Sequence, residues 1–430
     1  MSINVSKFQL AQHAVFSLSI QVGGAGFAFL LYIILARLLG VQEYGNYVYV
    51  LAWVNILVLV AKFGLDTTLL RYVAAYEGKQ DWGSLHGIIV WSFRIVTLSS
   101  VLISGLLILF TGLLVSFIEK DLTDLFLVGS ILILFLTLID LVRSLLQGLQ
   151  HVVLCQFVGS VLRPLTLGII ILILYATELS FSGFITILAN VSATLLTLIL
   201  SVFLMSYYLP SVVKSAPALI SSSEWLSTAF SLFLLSGTQV IMSQTDTVML
   251  GIIQNTNEAG IYTSVSNITN FIGFGLSAFN TFLAPMISKL HVLNQKQKLQ
   301  NMLTVAAWGI FVFTIIASLI LISIGKTILS IFGKEFVTGY SSLVILILGQ
   351  VINALAGPVG FIMTMTGNQT IAAKIFILSA VLNMILNTVL IPFLGMFGAA
   401  IATSTSAIFW NIMLWWLVRK HLGINPTIFG

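Results

Sequence analysis

Twelve apolar runs of about twenty residues or more, parted by short polar turns, dominate this chain, and each is long enough to cross a bilayer as a helix. They place helices near 12–36, 45–66, 85–112, 123–147, 152–176 and 183–207, then near 226–250, 258–286, 303–324, 338–365, 371–393 and 397–419. The runs are apolar on every face, whereas a soluble domain needs helices with one polar face. Charged residues are 7% of the 430, against roughly 25% in soluble globular domains, so no aqueous surface can be built from them. The expectation is an all-α, polytopic membrane protein of about 12 transmembrane helices. The first run is too long for a signal peptide's apolar core and has no small-residue cleavage site, so it is expected to stay as a span.

The same composition excludes several chemistries. Cys155 is the one cysteine and lies in an apolar run, so it forms neither a disulfide nor a thiolate metal site. His13, His86, His151, His291 and His421 are not spaced as metal ligands. No P-loop, Ser-His-Asp order or Gly-rich dinucleotide turn occurs. No catalytic constellation, metal or cofactor is therefore expected. The net charge of +5 is spread over single Lys and Arg residues without a basic stripe, which argues against nucleic acid and for membrane orientation.

Cytoplasmic loops are enriched in Lys and Arg. With alternating spans, eleven basic residues fall on one side and four on the other. That ratio puts both termini in the cytoplasm and suits an even number of helices.

The chain also repeats. Glu43-Tyr44-Gly45-Asn46-Tyr47 and Glu258-Ala259-Gly260-Ile261-Tyr262 share an E-x-G-x-Y pattern at an offset of 215, and Gly183 and Gly398 share the same offset. Phe63-Gly64-Leu65 and Phe274-Gly275-Leu276 recur at 211. Six helices per repeat make the two halves parallel. The expected organisation is a six-helix lobe over 1–207, a polar cytoplasmic linker over 208–225 with Pro210, Lys214 and Pro217, and a second six-helix lobe over 226–430. Two such lobes can rock about a cavity, the requirement for alternating access.

Ionisable groups inside spans cost roughly 2.5–3.5 kcal/mol each on insertion scales, so they mark protein-lined or watery interiors. Lys62 and Asp66 are four apart, and Asp140 and Arg143 three apart, so each couple shares a helix face and pairs. The remaining Arg71, Arg94 and Arg163 describe a cationic pocket in the first lobe, open toward the inner leaflet. Such a pocket suits an anion, and Arg suits phosphate oxygens in particular. Arg71 and Arg143 lie close enough to helix ends either to snorkel into headgroups or to bind the anion in the pocket, and both readings stay open. Pro164 kinks the helix that carries Arg163. In the second lobe Gln239, Ser243 and Asp246 form a polar stripe, either a buried interhelical hydrogen bond or a cation or proton coupling site. Gly357-Pro358-Val359-Gly360 interrupts the tenth helix. Glu119, Lys120, Asp121 and Asp124 read as a solvated turn.

The stretch Ala36-Arg37-Leu38-Leu39-Gly40 with Glu43-Tyr44-Gly45, then Phe63-Gly64-Leu65-Asp66, resembles the opening of polysaccharide flippases of the multidrug/oligosaccharidyl-lipid/polysaccharide (MOP) exporter superfamily. So do Gly367-Asn368-Gln369, Asn383, Asn387, Ile391-Pro392 and Gly398-Ala399-Ala400-Ile401-Ala402-Thr403. The resemblance covers essentially the whole chain. It implies a MATE-like fold and a flippase for undecaprenyl-diphosphate-linked oligosaccharide, an O-antigen, capsule or exopolysaccharide repeat unit of lipopolysaccharide type. Movement is from the inner to the outer leaflet of a bacterial inner membrane. The implied partners are the lipid-linked oligosaccharide, membrane lipid, an H+ or Na+ counter-ion and other glycan-assembly membrane proteins. In that family helices one, two, seven and eight line the cavity, which places Lys62, Asp66, Gln239, Asp246 and Asn280 on its wall. The first helix lacks the embedded Arg or Asp of relatives that flip peptidoglycan precursor or extrude drugs.

Two rivals remain. A cation-coupled multidrug exporter of the same superfamily prefers an acidic cavity, which the surplus of Arg disfavours. A membrane glycosyltransferase or glycan polymerase needs a sizeable catalytic loop, and no loop here exceeds about twenty residues.

Overall fold

A computed structural model gives the backbone of residues 7–116, 122–177 and 181–429. Within these, side chains are described except at 7–18, 112–116, 235, 274–282 and 284–285. Glu119, Lys120 and Asp121, the side chain of Asn280 and the Phe274-Gly275-Leu276 copy of the second repeat motif lie outside the described residues.

The chain is a succession of helices. They are α1 (Lys7–Lys62), α2 (Leu65–Lys79), α3 (Trp82–Ser116), α4 (Thr123–Gly148), α5 (Val152–Gln156), α6 (Arg163–Ala176), α7 (Gly183–Tyr208) and α8 (Ser211–Ser215). There follow α9 (Ser222–Ile253), α10 (Thr256–Val292), α11 (Lys296–Phe332), α12 (Tyr340–Ala356), α13 (Val359–Met365) and α14 (Gln369–Leu422). Among the described residues nine helices are long and apolar enough to cross a membrane. Two of them are pairs: α1 breaks at Gly40 (φ 72°) and α14 at Gly395 (φ 54°), left-handed backbone that glycine adopts without a Cβ clash. With α10, 37 residues long, the membrane-length segments reach twelve, as the apolar runs require. Leu98, Leu109, Leu172, Phe203 and Phe393 stand exposed on the helices, the inverse of a water-facing surface.

Two compact units emerge, one formed by Met1–Leu39 and Val50–Val240, the other by Gly40–Tyr49 and Ile241–Gly430. In the first, α4 packs on α2, α3 and α7, over a core that includes Leu69, Leu85, Leu141, Leu145 and the fully buried Trp225. The second span ends at Lys62, earlier than the apolar run suggests. Phe63 and Gly64 (φ 47° and 75°) turn the chain into α2, an amphipathic helix that buries Leu65, Thr68, Leu69 and Val73. The polar joint is held down on this unit: the Leu219 N–H donates to the Gly83 carbonyl at 3.1 Å, and His86 Nδ1 meets the Ala216 carbonyl at 2.7 Å.

In the second unit α12 packs on α11 and α14, over a core with Leu303, Ile310, Ile362, Met363 and Leu414. The expected interruption of the tenth helix lies between α12 and α13, where Gly357 takes φ 74° and Pro358 precedes α13. The two E-x-G-x-Y motifs meet within this unit. A Cβ on Gly260 would lie 2.8 Å from Gly45 Cα, and one on Gly45 would lie 2.2 Å from the Thr256 carbonyl oxygen. Thr256 Oγ1 also donates to Asn46 Oδ1 at 2.6 Å. The repeated glycines are thus a backbone-to-backbone helix crossing of the small-residue kind.

Candidate functional site

The first unit brings charge together inside its helices. Lys62, the last residue of α1, lies with Nζ 3.0 Å from Asp66 and 2.6 Å from Asp140. Arg143 Nη1 is 3.3 Å from Asp140. The two couples expected from spacing are therefore one network, because Lys62 bridges from α1 to α4. A lone ion in this setting pays its full desolvation cost, and only mutual neutralisation makes four such groups tolerable.

The network borders a cavity of about 220 Å³ lined by Lys62, Asp66, Asp140, Arg143, Ser144, Gln147 and Cys155. Asp140, Arg143, Ser144 and Gln147 are spaced 0, 3, 4 and 7 along α4, one helical face. Ser144 and Gln147 escaped the sequence reading although that spacing carries the signal. Cys155 of α5 completes the lining, and a π-helical turn, Phe157–Leu162, follows it between α5 and α6. Such turns relieve a helix whose ladder is disturbed. Here Pro164 has no N–H for the Ser160 carbonyl four residues back. Gly24 of α1 closes on that carbonyl, where a Cβ would sit 2.3 Å from the oxygen. Gly159 in the same turn leaves room for the Arg143 guanidinium, since a Cβ there would lie 2.4 Å from its central carbon. Among the described residues Arg143 Nε is buried with no hydrogen-bond partner.

Arg163, just after the π turn, donates from Nη2 to Asn190 Oδ1 at 3.3 Å. Arg94 and Arg71 are not brought to this cavity. Arg94 stands on the exposed face of α3 with Ile95, Leu98, Val101 and Leu102. Arg71 is exposed on α2, its guanidinium 6.0 Å from the Tyr72 ring centre. The cluster that forms is thus built on the paired residues Lys62 and Arg143 with Arg163 nearby, and not on the three arginines left over after pairing. Spacing along one helix could not reveal a bridge between two.

A second polar centre lies in the second unit. Asp246 on α9 is buried and accepts hydrogen bonds from Tyr262 Oη at 2.5 Å, Asn387 Nδ2 at 2.7 Å and Asn383 Nδ2 at 3.5 Å, and from Thr403 Oγ1. Asn387 Nδ2 also reaches Asn383 Oδ1 at 3.1 Å, and Asn387 Oδ1 has no partner among the described residues. No Lys or Arg bonds this carboxylate among the described residues. It is solvated by a cage of hydroxyl and amide donors. Gln239 and Ser243, the rest of the expected stripe, are exposed on α9. Sequence reasoning missed Tyr262, Asn383, Asn387 and Thr403 as partners of Asp246, although the i, i+4 asparagines were among the residues that carried the resemblance.

The family matches make this helical fold that of a MOP-superfamily transporter. The profile of the polysaccharide biosynthesis protein family matches residues 10–291 and that of the MatE family residues 232–389, and the chain belongs to the polysaccharide biosynthesis protein family. An uncharacterized membrane protein of Methanocaldococcus jannaschii is 24% identical over 93% of this chain and 83% of its own length. A probable low-salt glycan biosynthesis flippase of Haloferax volcanii is 25% identical over 37% of this chain and 34% of its own. Among solved structures, an inward-facing multidrug resistance MATE transporter of the MOP superfamily aligns with TM-score 0.73 at 15% identity, over 95% of this chain and 98% of that one. The lipid II flippase MurJ, inward closed, aligns with TM-score 0.72 at 18% identity, over 94% and 87%.

Proposed function

We propose that this transporter is a flippase for undecaprenyl-diphosphate-linked oligosaccharide, an O-antigen, capsule or exopolysaccharide repeat unit. It moves its cargo from the inner to the outer leaflet of a bacterial inner membrane by alternating access. Both termini lie in the cytoplasm, and glycan-assembly membrane proteins are its neighbours in the pathway. The diphosphate engages Lys62, Arg143 and Arg163, the oligosaccharide stays in water, and the prenyl tail remains in lipid. Asp246 is the coupling site for a counter-ion, H+ or Na+.

The observation that carries this reading is the cavity beside Lys62 and Arg143, a recess of paired cations and carboxylates in otherwise apolar helices. The flippase relative from Haloferax volcanii points the same way. Arg163 and Arg143 have the forked geometry that phosphate oxygens accept.

The test is flipping of a lipid-linked oligosaccharide by purified protein in proteoliposomes. The wild type is expected to expose the glycan at the far leaflet, and Arg143→Gln with Arg163→Gln to lose about 100-fold in rate, as expected when two charge-assisted contacts are removed. Flipping that persists at the wild-type rate in the double variant overturns the site.

The second reading, a cation-coupled multidrug exporter, draws on the acid at Asp246, which no Lys or Arg neutralises among the described residues. It predicts efflux of a cationic dye from cells, and flipping without efflux dismisses it.

A further inference from the structure

The basic groups of the first unit's cavity are already occupied by the chain itself. Lys62 Nζ is shared between Asp66 and Asp140, and Arg143 also leans on Asp140. A diphosphate entering the cavity therefore gains each cation only by displacing a carboxylate.

The two acids are not equivalent. Asp140 holds both Lys62 and Arg143, at 2.6 and 3.3 Å. Asp66 holds Lys62 alone, through Oδ2 at 3.0 Å. Its other oxygen, Oδ1, accepts the Thr67 N–H at 2.8 Å in the first turn of α2. That bond, with the helix dipole behind it, stabilises the Asp66 carboxylate independently of Lys62. Asp66 can lose the ammonium and remain solvated by its own helix, whereas Asp140 depends on its two cations.

We propose that Asp66 is a built-in competitor for the anion this cavity carries: it holds Lys62 when the cavity is empty, yields Nζ to a phosphate oxygen of a prenyl diphosphate, and reclaims it to drive release. The proposal rests on the reading of this cavity as the diphosphate site. A carrier must bind well enough to load and weakly enough to unload, and cations unopposed in a low-dielectric recess would trap a diphosphate. An internal carboxylate on the same lysine sets the affinity between those limits. No covalent step is involved, and the exchange is one ion pair for another.

Equilibrium binding of geranylgeranyl diphosphate to the full-length protein in nanodiscs tests this. Asp66→Asn keeps the side-chain shape and the Thr67 contact while removing the charge. It is expected to tighten binding about tenfold, equivalent to ~1.4 kcal/mol, and to slow ligand release. Asp66→Ser, which keeps a side-chain oxygen in the first turn of α2, is expected to shift affinity the same way and serves if the asparagine variant does not fold. Wild-type protein that binds the probe while both variants bind it equally or more weakly overturns the competition but leaves the site. A wild type that does not bind, or binds unchanged after Arg143→Gln, overturns the site and the competition with it.

Discussion

Asp140 and Asp246 meet the same difficulty, a carboxylate inside a membrane helix, by opposite means. Asp140 is neutralised by Lys62 and Arg143, whereas Asp246 is solvated by two amides and two hydroxyls. The consequences of substitution differ accordingly. Asp140→Ala leaves the half-buried Arg143 charge without its carboxylate, which costs about 2–3 kcal/mol once solvent screening is allowed for. Asp246→Asn leaves no stranded charge, and Asn387 can turn its unpartnered Oδ1 toward the new amide, so the cost is about 1 kcal/mol. Thermal unfolding in detergent should therefore show a large drop for Asp140→Ala and a small one for Asp246→Asn. Equal drops would mean that the two centres are not differently stabilised. At this scale the sequence displayed the pairs on one helix, such as Lys62 with Asp66, because 3.6 residues per turn places them. It did not display Lys62 with Asp140, since that distance is set by how α1 packs on α4.

Among the helices, the breaks follow from local chemistry. Gly40, Gly357 and Gly395 adopt left-handed backbone, and the chain changes direction at each. The Gly395 break is capped from outside: Gln254 Nε2 donates to the Ile391 carbonyl at 2.8 Å, and Glu258 accepts the Met396 N–H at 2.8 Å. A carboxylate at that N-terminus also meets the helix dipole favourably. The glutamate of the second E-x-G-x-Y motif is therefore a cap and its glycine a crossing point, two roles that the repeat announced as important without saying which. Gly260→Val should overpack the crossing with Gly45 and cost upwards of about 2 kcal/mol. Gly105→Ala, in open space on α3, should gain up to about 1 kcal/mol through helix propensity. Melting temperatures of the two variants in detergent are expected to move in opposite directions, and a neutral Gly260→Val would remove the crossing from the account. The π turn before Arg163 was only half legible. Pro164 forecasts a disturbed ladder, but whether the helix kinks or widens depends on what approaches Ser160, and that is Gly24, far away in sequence.

On the scale of the whole molecule, duplication supplied the scaffold and left the polar centres single. At the 215-residue offset that relates the E-x-G-x-Y motifs, the counterpart of Asp246 is Leu31, and that of Asp140 is Leu355. Each unit thus carries one specialisation, an ion-paired cavity in the first and an enclosed carboxylate in the second. The number of spans was readable because lipid imposes length and apolarity on every one, while the pairing of polar residues across helices was not. A division of labour between units makes a prediction about energy supply. If the cargo is the proposed diphosphate leaving a negative interior, it moves downhill by about 2.3 kcal/mol per charge per 100 mV, with no counter-ion needed for that step. If Asp246 exchanges an ion to return the empty carrier, the wild type in proteoliposomes should respond both to an imposed potential and to a Na+ or H+ gradient. Asp246→Asn should keep the first response and lose the second. A variant that stays gradient-driven would place coupling elsewhere, and one that ignores the potential as well would mean that the two units do not divide the work.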